Sequence, residues 1–344
     1  MQPLKQYFLT AVKNQASDLH LVGEEKPILR IQEELNPIED SLLPSAELES
    51  AIMKILNDKQ KKAFEKNLEL DFGYELENYR FRINLHRQQG KIGLAARLIP
   101  EQIPSPKELG LEKPLLDFTT LIDGLVLIVG PAGCGKSTTI ASLIEQINQT
   151  RKAHIITIED PIEFIFKDQQ SLIEQREIGT DTKSFSAALK HVLRQDPDVI
   201  MVGEMRDPET IATVLTAAET GHLVFSTLHT SSAAETIERI VDVFSGDKQK
   251  QVLVQLSSVL RGVVAQQLLP AKSGGLIAAR EILLNNPAIG NQIRSNKISQ
   301  IYSAIQTGRK DGMISMAQTI NLLLEKDLIT EEIARNRSEK YKNI

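Results

Sequence analysis

Gly130-Pro131-Ala132-Gly133-Cys134-Gly135-Lys136-Ser137 is the stretch from which the rest of this chain can be read. It stands between the apolar run Leu125-Val126-Leu127-Ile128-Val129 and Thr138-Thr139-Ile140-Ala141-Ser142-Leu143-Ile144. A strand, a glycine-rich turn and a helix therefore follow one another, the context that a phosphate-binding loop of the form G-x-x-x-x-G-K-[ST] needs. Glycines at 130, 133 and 135 let backbone N–H groups curl around an anion, and the new helix points its partial positive end at the same place. Lys136 would reach the β- and γ-phosphates of a nucleotide while the Ser137 hydroxyl ligates Mg²⁺. The expected nucleotide-binding set is Gly130, Pro131, Ala132, Gly133, Cys134, Gly135, Lys136, Ser137 and Thr138. A glycine-rich turn before an ordinary helix is the competing account, and the two flanks weigh against it.

With 344 residues the chain exceeds the usual size of a single core, so two domains are expected. A net charge of -5 gives no electrostatic footprint for wrapping nucleic acid, and none is expected as a partner. No apolar run approaches the length of a membrane span, and Met1-Gln2-Pro3-Leu4-Lys5-Gln6 lacks the apolar core of a signal peptide. The expected location is the cytoplasm. One cysteine, Cys134, excludes an internal disulfide and a cysteine-rich zinc cluster. Inside the loop it reads as a small residue filling a tight turn, in preference to a redox sensor.

Outward from the loop, the N-terminal part reads as a small mixed α/β domain. Tyr7 to Gln15 has helical apolar spacing, Ala46 to Leu56 is a second helical stretch, and Ile28–Ile31, Phe81–Leu85 and Ile92–Ile99 alternate as strands. Arg82 and Arg97 fall on this β-structure, where they serve either as solvated edge charges or as guanidinium groups reaching a phosphate across a domain or subunit boundary. Pro100, Pro104, Pro106 and Pro114 give residues 100–116 linker composition. The expected division is 1–99, linker 100–116, and 117–344 with a helical tail. In the last part strands alternate with helices: Leu125–Val129, the loop helix, Ile155–Ile158, a helix near Ser184–Leu193, Val199–Val202, Pro208–Ala218 and Leu223–Ser226. That alternation implies a parallel sheet covered on both faces, with ligands at the carboxyl ends of its strands. Val263–Leu269 and Leu276–Leu283 add two strand-like runs ahead of the tail, which begins at Pro287.

Nucleotide hydrolysis needs further acidic groups at strand ends. Asp198-Val199-Ile200-Met201-Val202-Gly203-Glu204 is an apolar strand ending in a carboxylate, the Walker B pattern, which makes Glu204 with Ser137 the expected metal pair. Ile155-Ile156-Thr157-Ile158 ends in Glu159-Asp160-Pro161-Ile162-Glu163; Glu163 is the best candidate to orient or deprotonate water, although spacing alone does not separate it from Glu159. His222 and His229 bracket Leu223–Leu228 and read together as a γ-phosphate sensor, with Thr227 beside the second. Neither has metal-ligand spacing, so a zinc site is not expected.

These four elements, with Ala16-Ser17-Asp18-Leu19-His20 ahead of them, resemble the secretion ATPase superfamily and its pilus-retraction branch. Its Walker A, Asp box, Walker B and His box match Gly130–Ser137, Ile158–Glu163, Asp198–Glu204 and Gly221–His229, and the likeness runs from near residue 5 to about 337. The resemblance implies a PAS-like N-terminal domain, a RecA-like P-loop ATPase domain, and a homo-hexameric ring that hydrolyses ATP with Mg²⁺. By residue match it makes Glu163 the catalytic base, Glu204 the Walker B acid, and Arg82 and Arg97 the arginines that approach the phosphates. It further implies an inner-membrane platform protein of the pilus machine as partner, pilin reached only indirectly, and a station on the cytoplasmic face of that membrane at the pilus base. Assembly relatives resemble longer chains with a tetracysteine zinc motif, which this sequence lacks. The retraction signature of the family, Ala-Ile-Arg-Asn-Leu-Ile-Arg-Glu, stands here as Ala288-Ile289-Gly290-Asn291-Gln292-Ile293-Arg294-Ser295, departing at Gly290, Gln292 and Ser295. Other readings open at this point are a pilus-assembly, competence or secretion motor, an accessory retraction ATPase, a nucleotide-gated scaffold without useful turnover, and a nucleic-acid motor.

Overall fold

Apolar alternation in the N-terminal third and unbroken apolar runs in the remainder produce two different sheets. A computed structural model describes residues 3–31, 34–99 and 102–338, the side chain of Ser338 excepted. Met1 and Gln2 at the expected N-terminus, Pro100 at the head of the expected linker and the last residues of the expected tail lie outside the described residues. The chain forms two compact units, Met1–Gln102 with Pro161–Ile165, and Ile103–Asp160 with Phe166–Ile344.

In the first unit the strands are β1 (Asp18–Val22), β2 (Ile28–Ile31), β3 (Glu34–Pro37), β4 (Glu69–Leu76), β5 (Tyr79–Gln88) and β6 (Lys91–Ile99). They pair antiparallel in the order β3-β2-β1-β6-β5-β4. Phe81, Ile83 and Leu85 alternate inward from β5, and with Tyr7 and Phe8 of helix Leu4–Lys13 and Phe64 of helix Asp58–Asn67 they make the core. Period-2 alternation is what an antiparallel sheet covered on one face requires, and it sends Arg80, Arg82 and Asn84 to the other face. Strands β3 and β4 are absent from the sequence reading. β3 is exposed at every position and β4 buries only Phe72, so neither carries a clear apolar alternation.

The second unit adds β7 (Gly124–Val129), β8 (His154–Glu159), β9 (Leu172–Glu177), β10 (Val199–Val202), β11 (Leu223–Leu228), β12 (Leu260–Pro270) and β13 (Leu276–Leu284) in the order β13-β12-β7-β11-β10-β8-β9. All neighbours are parallel except β12 and β13. β7, β10 and β11 are buried at every residue, the mark of strands covered on both faces, and burying one Val or Leu side chain stabilises by about 1.5–3 kcal/mol. Helices Lys136–Thr150, Phe185–Val192, Pro208–Glu219, Ala233–Asp242 and Asp247–Val259 belong to this unit. Pro208–Glu219 starts where Asp207 accepts from the Thr210 N–H at 2.9 Å with proline at its first turn. The sequence reading leaves β9 and the helices Ala233–Asp242 and Asp247–Val259 unassigned. β9 is a half-exposed edge strand, Leu-Ile-Glu-Gln-Arg-Glu, with no apolar run to betray it.

Helix Pro287–Arg294 packs on Asp247–Val259 closely enough that a Cβ on Gly290 would stand 3.2 Å from the Ser257 carbonyl oxygen. The departure from arginine at this position thus has a steric counterpart: the two helices meet at a residue without a side chain.

Candidate functional site

Parallel strands deliver their carboxyl ends to one edge of the sheet, and the turn after β7 is tightly packed there. Gly130 has φ +146°, and a Cβ on it would lie 2.3 Å from the Gln266 carbonyl oxygen and 2.6 Å from Cys134 Sγ. Glycine is therefore required twice over, for conformation and for space. Gly133 and Gly135, at φ +74° and +85°, complete the curl, and helix Lys136–Thr150 begins at once. Lys136 is buried and its Nζ donates to the Gly130 and Pro131 carbonyls at 2.9 and 3.0 Å. Ser137 and Thr138 are half-buried on the first turn of the helix.

Cys134 is buried, and burial pushes its thiol pKa up, away from the thiolate that a redox sensor needs. It fills the turn. The loop is held from behind by Gln266, whose Nε2 donates to the Cys134 carbonyl at 2.6 Å.

Glu204 follows β10 with its side chain largely covered. One carboxylate oxygen accepts from Arg206 Nε and the other lies 3.3 Å from His229 Nε2. Ser226 and Thr227 fix the turn that presents it, donating to the Val202 and Gly203 carbonyls at 2.8 and 2.5 Å. His229 thus joins Glu204 at the carboxyl ends of the strands. His222 does not: its Nδ1 sits 2.9 Å from the Ala217 carbonyl oxygen, and its own carbonyl accepts from Gly124 N–H where β7 begins. β11 runs between the two histidines, and six residues of strand span about 20 Å. A sensor made jointly of His222 and His229 is not what this unit forms.

At the end of β8 Glu159 is buried, accepting from the Thr157 hydroxyl at 2.6 Å and from Gln175 Nε2 at 3.2 Å. Glu163 lies in Pro161–Ile165, the short segment that groups with the first unit. Thr157 and Gln175 thus fix Glu159 into the second sheet, whereas Glu163 groups with the first unit.

Within the first unit Asp18, Arg97 and Arg82 are successive partners across β1, β6 and β5. Arg97 Nε donates to Asp18 Oδ1 at 2.9 Å and remains two-thirds exposed. The side chain of Arg82 has no hydrogen-bond or ion-pair partner among the described residues. Asp18 neutralises one guanidinium and leaves the row a net cation, suited to an anionic ligand. Sequence reasoning gave no role to Asp18, Arg206 or Gln266, since each is ordinary by type; Asp18 and Gln266 gain theirs from neighbours across strands, and Arg206 from Glu204 two residues before it.

No cluster of three or more His, Cys, Asp or Glu side chains with metal-holding geometry occurs among the described residues. Mg²⁺ dehydrates reluctantly and takes most ligands from phosphates and water, so the Ser137 hydroxyl at the start of the loop helix and the Glu204 carboxylate after β10 are oxygen donors of the kind that fit it. Among the described residues no helix is long and apolar enough to cross a membrane.

Comparisons with known proteins find relatives over nearly the whole chain. The family described as type II/IV secretion system protein matches residues 1–309. A type IV pilus retractation ATPase, PilT of Pseudomonas aeruginosa, is 45% identical over 330 residues, covering 96% of this chain and 96% of that protein. A twitching motility protein of Neisseria gonorrhoeae is 46% identical over 315 residues, covering 91% of this chain and 84% of that protein. Among solved structures, the pilus retraction motor PilT with bound ADP superposes with a TM-score of 0.91 at 45% identity, covering 97% of this chain and 96% of that one.

Proposed function

Because this chain belongs to the type II/IV secretion system protein family, we propose that it is the ATP-hydrolysing motor of type IV pilus retraction. The observation that carries the proposal is the loop of Gly130–Ser137 at the carboxyl end of β7, with His229 after the adjacent strand β11 paired to Glu204 after β10 in the same sheet. Similarity over nearly the full length of a retraction ATPase and of its ADP-bound structure supports the assignment of the work done.

In this reading the backbone N–H groups of residues 133–138 bind the phosphates of ATP and Lys136 leaves the loop carbonyls for the γ-phosphate, where charge builds in the transition state. Ser137, and Glu204 through water, would hold Mg²⁺, which would supply neutralisation of that charge. Glu163 takes the proton of the attacking water, and His229 senses the γ-phosphate through its contact with Glu204. Arg82 and Arg97 bring positive charge to the phosphates of a nucleotide held in a homo-hexamer. Closure around ATP and its release after hydrolysis would move a platform protein of the pilus machine, with pilin reached only through it, at the cytoplasmic face of the inner membrane.

Lys136→Ala tests the site. Phosphate release by the purified variant should fall at least about 100-fold; a normal rate would overturn the assignment. In cells, loss of the protein should leave abundant pili and no twitching, and bald cells would show an assembly motor instead.

A further inference from the structure

Behind the phosphate-binding loop lies a buried polar chain that leads out of the site to another part of the molecule. The β7–β12 register sets Ala265 opposite Val129, so Gln266 falls beside Gly130. The side chain of Gln266 uses both ends of its amide. Nε2 donates to the Cys134 carbonyl at 2.6 Å, while Oε1 accepts from the Thr139 hydroxyl at 2.9 Å and from Arg280 Nε at 2.8 Å. The reverse amide orientation would set NH₂ against the Arg280 Nε–H and the amide oxygen against the Cys134 carbonyl, so the network dictates this one. Arg280 is the cross-strand partner of Gln266 on β13 and is 2% exposed. Its remaining nitrogens donate to the Leu109 carbonyl at 3.2 Å, the Gly110 carbonyl at 3.3 Å and Glu112 Oε2 at 3.1 Å.

Each end of this chain has a function to reach. In a trans peptide the carbonyl and the following N–H point oppositely, so the bond from Gln266 that fixes the Cys134 carbonyl also turns the Gly135 N–H away from β12. Thr139 fixes the first turn of the helix whose N-terminus faces the anion. At the far end, the chain passes from the first compact unit to the second at residues 102 and 103 and next meets Arg280 at Leu109.

We propose that Gln266 and Arg280 are positioning residues of the nucleotide site, through which the segment Leu109–Glu112 sets the shape of the phosphate-binding loop. A shift of that segment moves the guanidinium, the guanidinium moves the Gln266 amide, and the amide rotates the Cys134–Gly135 peptide. Nucleotide affinity thereby depends on the segment that follows the joint between the units, and by reciprocity bound nucleotide biases that segment. The inference rests on the nucleotide-binding reading of the loop.

A double-mutant cycle on the full chain separates a relay from a merely structural contact. ADP with Mg²⁺ is titrated by calorimetry into the parent, Glu112→Ala, Gln266→Leu and the double variant, with melting curves of each. Glu112 lies at the outer end of the network and is the counter-charge of buried Arg280, so its truncation should lower the melting temperature, weaken ADP binding about three- to tenfold, and have no further effect on that affinity where Gln266 is already leucine. Additive shifts, or an unchanged Kd in Glu112→Ala, would overturn the relay. Gln266→Glu keeps both acceptor contacts and loses the donor to Cys134; it replaces leucine in the same cycle if that variant fails to fold. A parent chain that binds no ADP would sink the nucleotide reading itself, whereas a parent that binds with additive variants sinks the relay alone.

Discussion

Replacing Gly130 and Gly133 by alanine, one at a time, sets two glycines of one loop against each other. Both have positive φ, +146° and +74°, so each alanine carries backbone strain of about 1–3 kcal/mol. Only Gly130 adds collision: its Cβ would stand 2.3 Å from the Gln266 carbonyl oxygen and 2.6 Å from Cys134 Sγ, whereas nothing lies within 4 Å at Gly133. The Gln266 oxygen belongs to a central strand and cannot swing aside, so overpacking adds about 1–3 kcal/mol at Gly130 alone. Gly130→Ala should therefore melt about 2–12 °C below Gly133→Ala, at about 2–4 °C per kcal/mol for a unit of this size. Because two units do not unfold as one two-state system, the transition to follow in calorimetry is the one that ADP raises. Gly130→Ala should also bind ADP more weakly, since relief of the collision displaces the loop. If the two variants melt together, or Gly130→Ala melts with the parent, the close packing of β12 on the loop is refuted.

Two further outcomes are expected. Glu204→Ala should lower phosphate release about 100-fold or more while leaving ADP affinity within about threefold, because Glu204 stands on the strand beyond β11 and outside the loop; equal losses in rate and affinity would show that it holds the loop's shape instead. Glu281, buried and accepting from the Ala233 N–H at 2.9 Å, has its carboxyl pKa raised by burial. The folded chain then holds this proton where the unfolded chain has lost it, so stability falls as pH rises from the ordinary carboxyl range toward the raised value, and Glu281→Gln should flatten that slope in denaturant titrations at stepped pH. An unchanged slope would show that Glu281 titrates normally.

How much of this was legible in the sequence follows from how local each signal is. The loop, the strand ends at Glu159 and Glu204 and the inward face of β5 depend on neighbours within a few residues, and they stand in the structure where the motifs put them. β9 was not legible because an edge strand needs only one paired side and accepts polar residues throughout. The pairing of His222 with His229 was misjudged because seven residues of sequence separation does not say whether the intervening strand crosses the whole sheet.

Sequence alone determined that a strand, a glycine turn and a helix would build an anion cradle, since backbone conformation there is set by residues adjacent in the chain. Tertiary structure decided what surrounds that cradle. It put Gln266 of β12 behind the loop, placed His229 with Glu204 and His222 at the far end of β11, and joined Arg280 to Leu109 and Glu112 across some 170 residues of chain. Those contacts depend on strand order and register, which are fixed by how whole elements pack against one another rather than by any residue's neighbours in sequence.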